Sequence, residues 1–129
     1  MRCDWGKWAV TINDCIERVC ELRPNGLTQQ QLVQFINTCN AQAIRDTSGE
    51  QNVPEYQLPE DEQQELYIPF PYDDAYVLYT AAQISLMNAD MSLYANDASA
   101  FNERYMEFIT FWHETHTPEQ NQWKPRWFA

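Results

Sequence analysis

The chain has 129 residues, with 8 basic and 19 acidic side chains and a formal net charge of −11. This length fits one domain with one modest core. Hydrophobic residues make up 44% of the chain and aromatic residues 14%, which is too much for a disordered acidic tail. Because nucleic-acid readers concentrate Lys and Arg against phosphates, the charge argues against a duplex DNA-binding protein and, equally, against binding to an anionic membrane surface.

The N-terminus and the cysteines predict a soluble intracellular protein. Residues 1–10 include three charged side chains and no apolar run, so they do not read as a signal peptide. The charge-free and mostly apolar stretch at residues 75–89 is shorter than the roughly 20 apolar residues of a membrane span. Without a secretory context we expect no disulfides. The cysteines are predicted to be small buried thiols: Cys3, Cys15, Cys20 and Cys39.

Two helices are predicted in the first third of the chain. The first covers residues 11–22, with Thr11 as its cap and apolar residues on one face. The second runs from the Thr28 cap to about Arg45. Because Pro cannot continue a helix, the turn at residues 23–26 separates them, and we expect a helical hairpin. Its second stripe is formed by Leu32, Ile36, Cys39 and Ala43.

A proline-rich segment, residues 47–72, follows the hairpin. Its four prolines break any long helix, and residues 67–71 are expected to be extended because a residue before proline avoids the helical region. The acidic run at residues 60–62 is predicted to start a short helical turn. A connection of this length in a small domain is usually functional or contacts a neighbouring chain.

Two further helices are predicted after this segment. Asp73 and Asp74 open the third, which extends to about Asn88 and is apolar on nearly all sides, as expected of a helix buried in the domain or in an oligomer. The fourth covers about Ser92 to Thr115. Its inward stripe is formed by Tyr94, Ala98, Phe101, Tyr105, Phe108, Ile109 and Trp112, with Glu103, Glu107 and Glu114 facing water. The fold class is therefore mainly α, with about four helices over residues 1–118 and an extended tail at 119–129.

No catalytic, cofactor or metal motif is found. His113 and His116 are three residues apart, whereas a zinc-protease helix places its histidines four apart, and they are more readily explained by the dipole at a helix end. The adjacent Asp73 and Asp74 are read as helix-start acids. The run at residues 60–62 lacks the glycine of a calcium loop. We therefore expect neither an enzyme nor a cofactor.

Several motifs resemble a known family, the small head–tail connector proteins (adaptor or head-completion proteins) of tailed bacteriophages. The resemblance covers about residues 11–118. It is carried by Thr11-Ile12-Asn13, Glu21-Leu22-Arg23-Pro24-Asn25, Ile68-Pro69-Phe70-Pro71-Tyr72-Asp73-Asp74, Tyr76-Val77-Leu78-Tyr79, Asn88, Tyr94-Ala95-Asn96-Asp97, Phe101-Asn102, Tyr105, Phe108 and Thr115-His116-Thr117-Pro118.

The resemblance implies a helical subunit of a ring, expected to be a dodecamer, located in the virion after assembly in the host cytoplasm. Such a ring binds the portal protein, extends the DNA channel without specific DNA binding, and docks the tail or stopper protein. It would contact no membrane. Two lateral faces of each subunit would meet in a heterologous contact that closes by rotation.

The tail outside the resemblance is a candidate anchor. It contains an aromatic and cationic cluster formed by Trp123, Lys124, Arg126, Trp127 and Phe128. Because Trp and Arg supply much of the binding energy at interfaces, this cluster is hypothesised to dock onto the portal or an adjacent subunit. The alternative is a tail that folds back on its own domain to bury its rings.

The net negative charge is confined to the middle of the chain. Residues 46–103 hold twelve acids and no Lys or Arg, whereas the other 71 residues carry seven acids and eight bases. Some of these acids are hypothesised to line the channel and repel DNA: Glu60, Asp61, Glu62 and Glu65. The alternative is that they keep an unassembled subunit in solution. Two other functions stay open, namely another neck or tail-completion protein and an acidic DNA-mimic inhibitor.

Overall fold

A computed structural model describes residues 9–116, which are mainly helical, as the sequence predicts. The tail predicted at residues 119–129 lies outside the described residues. In chain order the elements are β1 (Ala9–Thr11), α1 (Ile12–Leu22), α2 (Gln29–Thr47), β2 (Glu65–Pro69), α3 (Asp74–Met87) and α4 (Met91–His116).

The predicted helix caps are confirmed by their hydrogen bonds. The Thr11 hydroxyl accepts from the Asp14 backbone N–H at 3.2 Å, which satisfies a donor that the first turn of α1 leaves free. Thr28 and Gln31 form a reciprocal capping box at the start of α2. Asp90, for which no cap was predicted, accepts the backbone N–H of Leu93 through its carboxylate at 3.1 Å before α4. Local side-chain chemistry therefore determines where these helices begin.

The two strands form a small antiparallel sheet that locks α1 to the middle of the chain. Residues 65–69 are extended as predicted, but the strand at Ala9–Thr11 was not expected. Since α1 follows β1 directly, its first N–H groups are close to the partner segment. Ile12 donates to the carbonyl of Gln64 at 3.1 Å and Asn13 to that of Glu62 at 2.9 Å.

Helix α3 is the centre of the core and packs against α1, α2 and α4. Of the two expectations for this helix, burial in its own domain or in an oligomer, the packing shows burial within its own domain. Leu86 and Met87, at its C-terminal end, stay exposed. The largest fully buried side chains of this core include Tyr76 of α3 and, around it, Ile12, Val19, Leu32, Ile36, Ile68 and Phe108.

The proline-rich segment lies along α2 of its own chain rather than projecting away from it. Asn37, on α2, donates to the Tyr56 carbonyl at 2.9 Å and accepts the Tyr56 N–H at 3.1 Å. Gln30 donates to the carbonyl of Leu58, whose side chain is buried. These contacts explain how the segment is held without a neighbouring chain.

Candidate docking surfaces

A buried ion pair joins the end of α1 to α4. The Arg23 guanidinium donates to both carboxylate oxygens of Asp97, at 2.7 Å and 3.2 Å. Ser85 on α3 donates a third bond to the same carboxylate at 3.1 Å. The Asp97 side chain is 8% exposed and that of Arg23 20%. This bidentate geometry is the strong form of an arginine–carboxylate contact, and it ties three helices together.

The adjacent acids at the start of α3 serve two different helices. Asp73 is the N-cap residue but makes no capping bond through its side chain, which instead pairs with Arg18 of α1 at 3.4 Å. Asp74 pairs with Arg104 of α4 at 2.9 Å, and Arg104 also bonds Glu107. Partial burial raises the pKa of the Asp74 carboxyl, and Arg104 opposes that shift. Both acids therefore stand at the start of α3 as predicted, and their side chains pair with arginines of α1 and α4.

The central acids divide by residue type. Each aspartate between residues 46 and 103 has a hydrogen-bond or ion-pair partner: Asp46, Asp61, Asp73, Asp74, Asp90 and Asp97. Each glutamate in that range is exposed: Glu50, Glu55, Glu60, Glu62, Glu65 and Glu103. The paired arginines come from the flanking thirds of the sequence. Part of the central negative charge is therefore neutralised within the fold, because arginines from outside the central segment pair with central aspartates.

The four acids proposed to face a channel lie on one turn and the start of β2, beside the N-terminus of α1. Glu60, Glu62 and Glu65 are exposed. Asp61 is only partly exposed, and its carboxylate accepts the Gln57 N–H at 2.9 Å. Three of the four carboxylates are therefore available to solvent, while Asp61 holds the turn. A helix N-terminus also favours nearby negative charge, which is a structural reason for acids here.

A groove of about 640 Å³ runs beside the second half of α4. Apolar side chains line its floor: Pro71, Tyr72, Met106 and Phe111. The charged side chains that line it, which we call its rim, are Glu103, Arg104, Glu107 and Glu114. The periodicity predicts that these glutamates face water, but the groove could not be foreseen, because one wall comes from residues 71–72. A second groove, of about 560 Å³, lies between α2 and residues 51–55 and is largely polar.

Aromatic packing makes the groove floor part of the core. The Tyr72 ring lies 5.1 Å from that of Phe111 and 6.2 Å from that of Phe108, which is buried.

At the end of α4 the His116 ring stacks on Trp112 at 4.2 Å, and its Nδ1 lies 2.9 Å from the Trp112 carbonyl oxygen. Within residues 9–116 no group of three or more His, Cys, Asp and Glu side chains is arranged to hold a metal ion.

A buried polar network, which the sequence did not reveal, holds β2 to α2 and α3. The Tyr76 hydroxyl donates to the Asn40 amide oxygen at 2.5 Å and accepts the Ile68 N–H at 2.8 Å. Asn40 also accepts the Tyr67 N–H at 3.0 Å. Burial raises the pKa of Tyr76 well above its ordinary value. The network satisfies strand groups that would otherwise be buried without partners.

The cysteine prediction is confirmed in part. Cys15 and Cys39 are buried, and burial raises the pKa of both thiols. The expectation for Cys20 was wrong, because its position on α1 turns away from the face that packs on the core, and the side chain is exposed. Cys3 lies outside the described residues.

Comparison with protein-family models, curated proteins and solved structures returned no match. The predicted anchor residues, Trp123, Lys124, Arg126, Trp127 and Phe128, lie outside the described residues. Among the helices of residues 9–116, none combines the length and apolar character needed to cross a membrane.

Proposed function

We propose that the chain is a structural subunit of a tailed-phage neck, which forms a ring below the portal, extends the DNA channel and docks the tail or stopper protein. The observation that carries the proposal is that the residues of the family resemblance, far apart in sequence, meet in the fold. Arg23 pairs with Asp97 at 2.7 Å, and Tyr72 packs on Phe108 with ring centroids 6.2 Å apart. These two contacts each join motifs of the resemblance that are distant in sequence.

The distribution of charge supports a protein that surrounds DNA without reading it. Most of the exposed carboxylates of the central segment belong to glutamates, including Glu60, Glu62 and Glu65, and the others are those of Asp46 and Asp90. In a ring, a wall bearing such carboxylates repels phosphates over about 8 Å at physiological salt, which limits sticking during DNA passage. Replacing Glu60, Asp61, Glu62 and Glu65 by the corresponding amides tests this role. If DNA ejection is unchanged and these residues lie on the outer face of the ring, they do not line the channel.

The tail supplies the test of docking. Deleting residues 119–129 should abolish incorporation of the chain into portal-bearing heads, because the deletion removes three large aromatic rings and two cations. A full-length chain carrying Glu50→Gln and Glu55→Gln, two exposed positions on another surface, is the matched control and should be incorporated normally. Normal incorporation of the deletion variant would contradict docking through the tail.

Two other functions make different predictions. A second neck or tail-completion role would place the chain away from the portal in the same virion. A DNA-mimic inhibitor requires exposed carboxylates spaced like phosphates, yet the six central aspartates are engaged within the fold, which disfavours this reading. A pull-down separates the two classes, since a mimic captures a nuclease or methylase and a connector captures a portal.

A further inference from the structure

The groove beside α4 has the chemistry of a binding site for a basic aromatic segment. Its floor is apolar, and Met106 there is 57% exposed, which leaves hydrophobic area open to an occupant. Its rim carries Glu103, Glu107 and Glu114. The one cation among the lining residues, Arg104, is already engaged by Asp74 and Glu107 at 2.9 Å each. The uncompensated charge of the rim is therefore negative.

A segment of matching chemistry is present in the same chain. Residues 123–128 read Trp-Lys-Pro-Arg-Trp-Phe, with three large aromatic rings and two cations. Aromatic rings suit an apolar floor, and Lys and Arg suit a carboxylate rim. The acidic central segment holds no Lys or Arg, so it offers no comparable partner for this rim.

The chain length allows this segment to reach the groove. Trp123 is seven residues beyond His116, the last residue of α4, and an extended chain of that length spans roughly 23 Å. The helix rises about 20 Å between Glu103 and His116. A short tether keeps the tail of the same chain at an effective concentration in the millimolar range. At micromolar protein concentration, the tail of a second copy is therefore a weaker competitor for the groove.

We propose that the groove formed by Pro71, Tyr72 and the outer face of α4 binds residues 119–129 of its own chain. Trp123 and Trp127 pack against the floor, while Lys124 and Arg126 face the glutamates of the rim. This binding takes place in the unassembled subunit and does not depend on the connector role. If the chain is a connector, the groove covers the aromatic tail until the tail docks onto the portal.

The test uses the full-length chain with a nitroxide spin label in the groove. Thr110→Cys supplies an exposed attachment point on the groove wall, and Cys3→Ser and Cys20→Ser remove other sites of labelling. The label should abolish most of the NMR intensity of the Trp123 and Trp127 indole N–H signals. The matched control places the label at Gln51→Cys, on the other groove, and should leave those signals intact.

Two further arms decide between occupants. In a mixture of labelled chain and isotope-enriched unlabelled chain, the indole signals should keep their intensity, and a loss there would show exchange between copies and overturn the proposal. In the labelled chain, Glu103→Lys with Glu114→Lys should restore the signals, whereas Glu50→Lys with Glu55→Lys should not. Intact tail signals beside the Thr110→Cys label would also overturn it. None of these results involves neck incorporation, so failure here is distinct from failure of the connector proposal.

Discussion

Removing the Asp97 carboxylate should destabilise the domain strongly, because it leaves a largely buried guanidinium without its partner. Deleting one member of a buried ion pair costs about 3–5 kcal/mol. The Arg23 side chain retains 20% exposure, so water recovers part of that loss, and the lower end of the range applies. We therefore expect Asp97→Ala to lower the free energy of unfolding by about 3 kcal/mol, including loss of the bond from Ser85.

Urea denaturation of the full-length chain measures this loss. With a slope of about 2 kcal/mol per molar urea, the midpoint should fall by about 1.5 M. Asp74→Ala is the matched control, since Asp74 also pairs with an arginine but both side chains are more than a third exposed. Such a pair contributes at most about 1 kcal/mol. Equal losses for Asp97→Ala and Asp74→Ala would refute the argument from burial.

Three further predictions concern the buried phenol and thiols. Tyr76→Phe removes two hydrogen bonds and should lower the unfolding free energy by about 1–3 kcal/mol in urea titrations. In a Cys3→Ser chain, Cys20 should react rapidly with a thiol reagent, while Cys15 and Cys39 react only on unfolding. Burial raises the pKa of both buried thiols above the value of about 8.5 that they have in the unfolded chain. The free energy of unfolding should therefore be unaffected by these thiols below that pH. Above it, the free energy should fall by roughly 1.4 kcal/mol per pH unit for each thiol. Urea midpoints that stay constant from neutral pH to pH ~10 would contradict this.

The helices could be predicted because their signals are local. Thr11 and Thr28 cap the helices that follow them, and the α4 stripe places Phe101, Tyr105 and Phe108 in the core as expected. Caps and apolar periodicity depend on residues within a few positions of one another. For this reason the predicted helix ends lie close to the observed ones.

The contacts between elements could not be predicted in the same way. Arg23 and Asp97 are 74 positions apart, and nothing in either local sequence indicates their pairing. Asn37 and Asn40 resemble ordinary polar helix residues until the proline-rich segment is placed against them. The groove beside α4 likewise needs Tyr72 from outside the helix. Such features arise only when distant segments pack.

The net charge of −11 has a different meaning once the fold is considered. Taken as a total, it argues against a DNA reader. In the structure, central aspartates pair with Arg18, Arg23 and Arg104, so part of the acidity serves to join helices. Most of the exposed remainder belongs to glutamates. The channel proposal depends on the exposed glutamates at residues 60–65, and the tail-binding proposal on Glu103 with the two glutamates that follow it on α4.

Electron cryomicroscopy of the neck of phage virions assembled with this chain tests the central proposal most directly. We expect a closed ring of this chain directly below the portal, with α1–α4 fitting the density of each subunit and residues 119–129 touching the portal or the adjacent subunit. Virions with a resolved neck that lacks this chain would contradict the connector role.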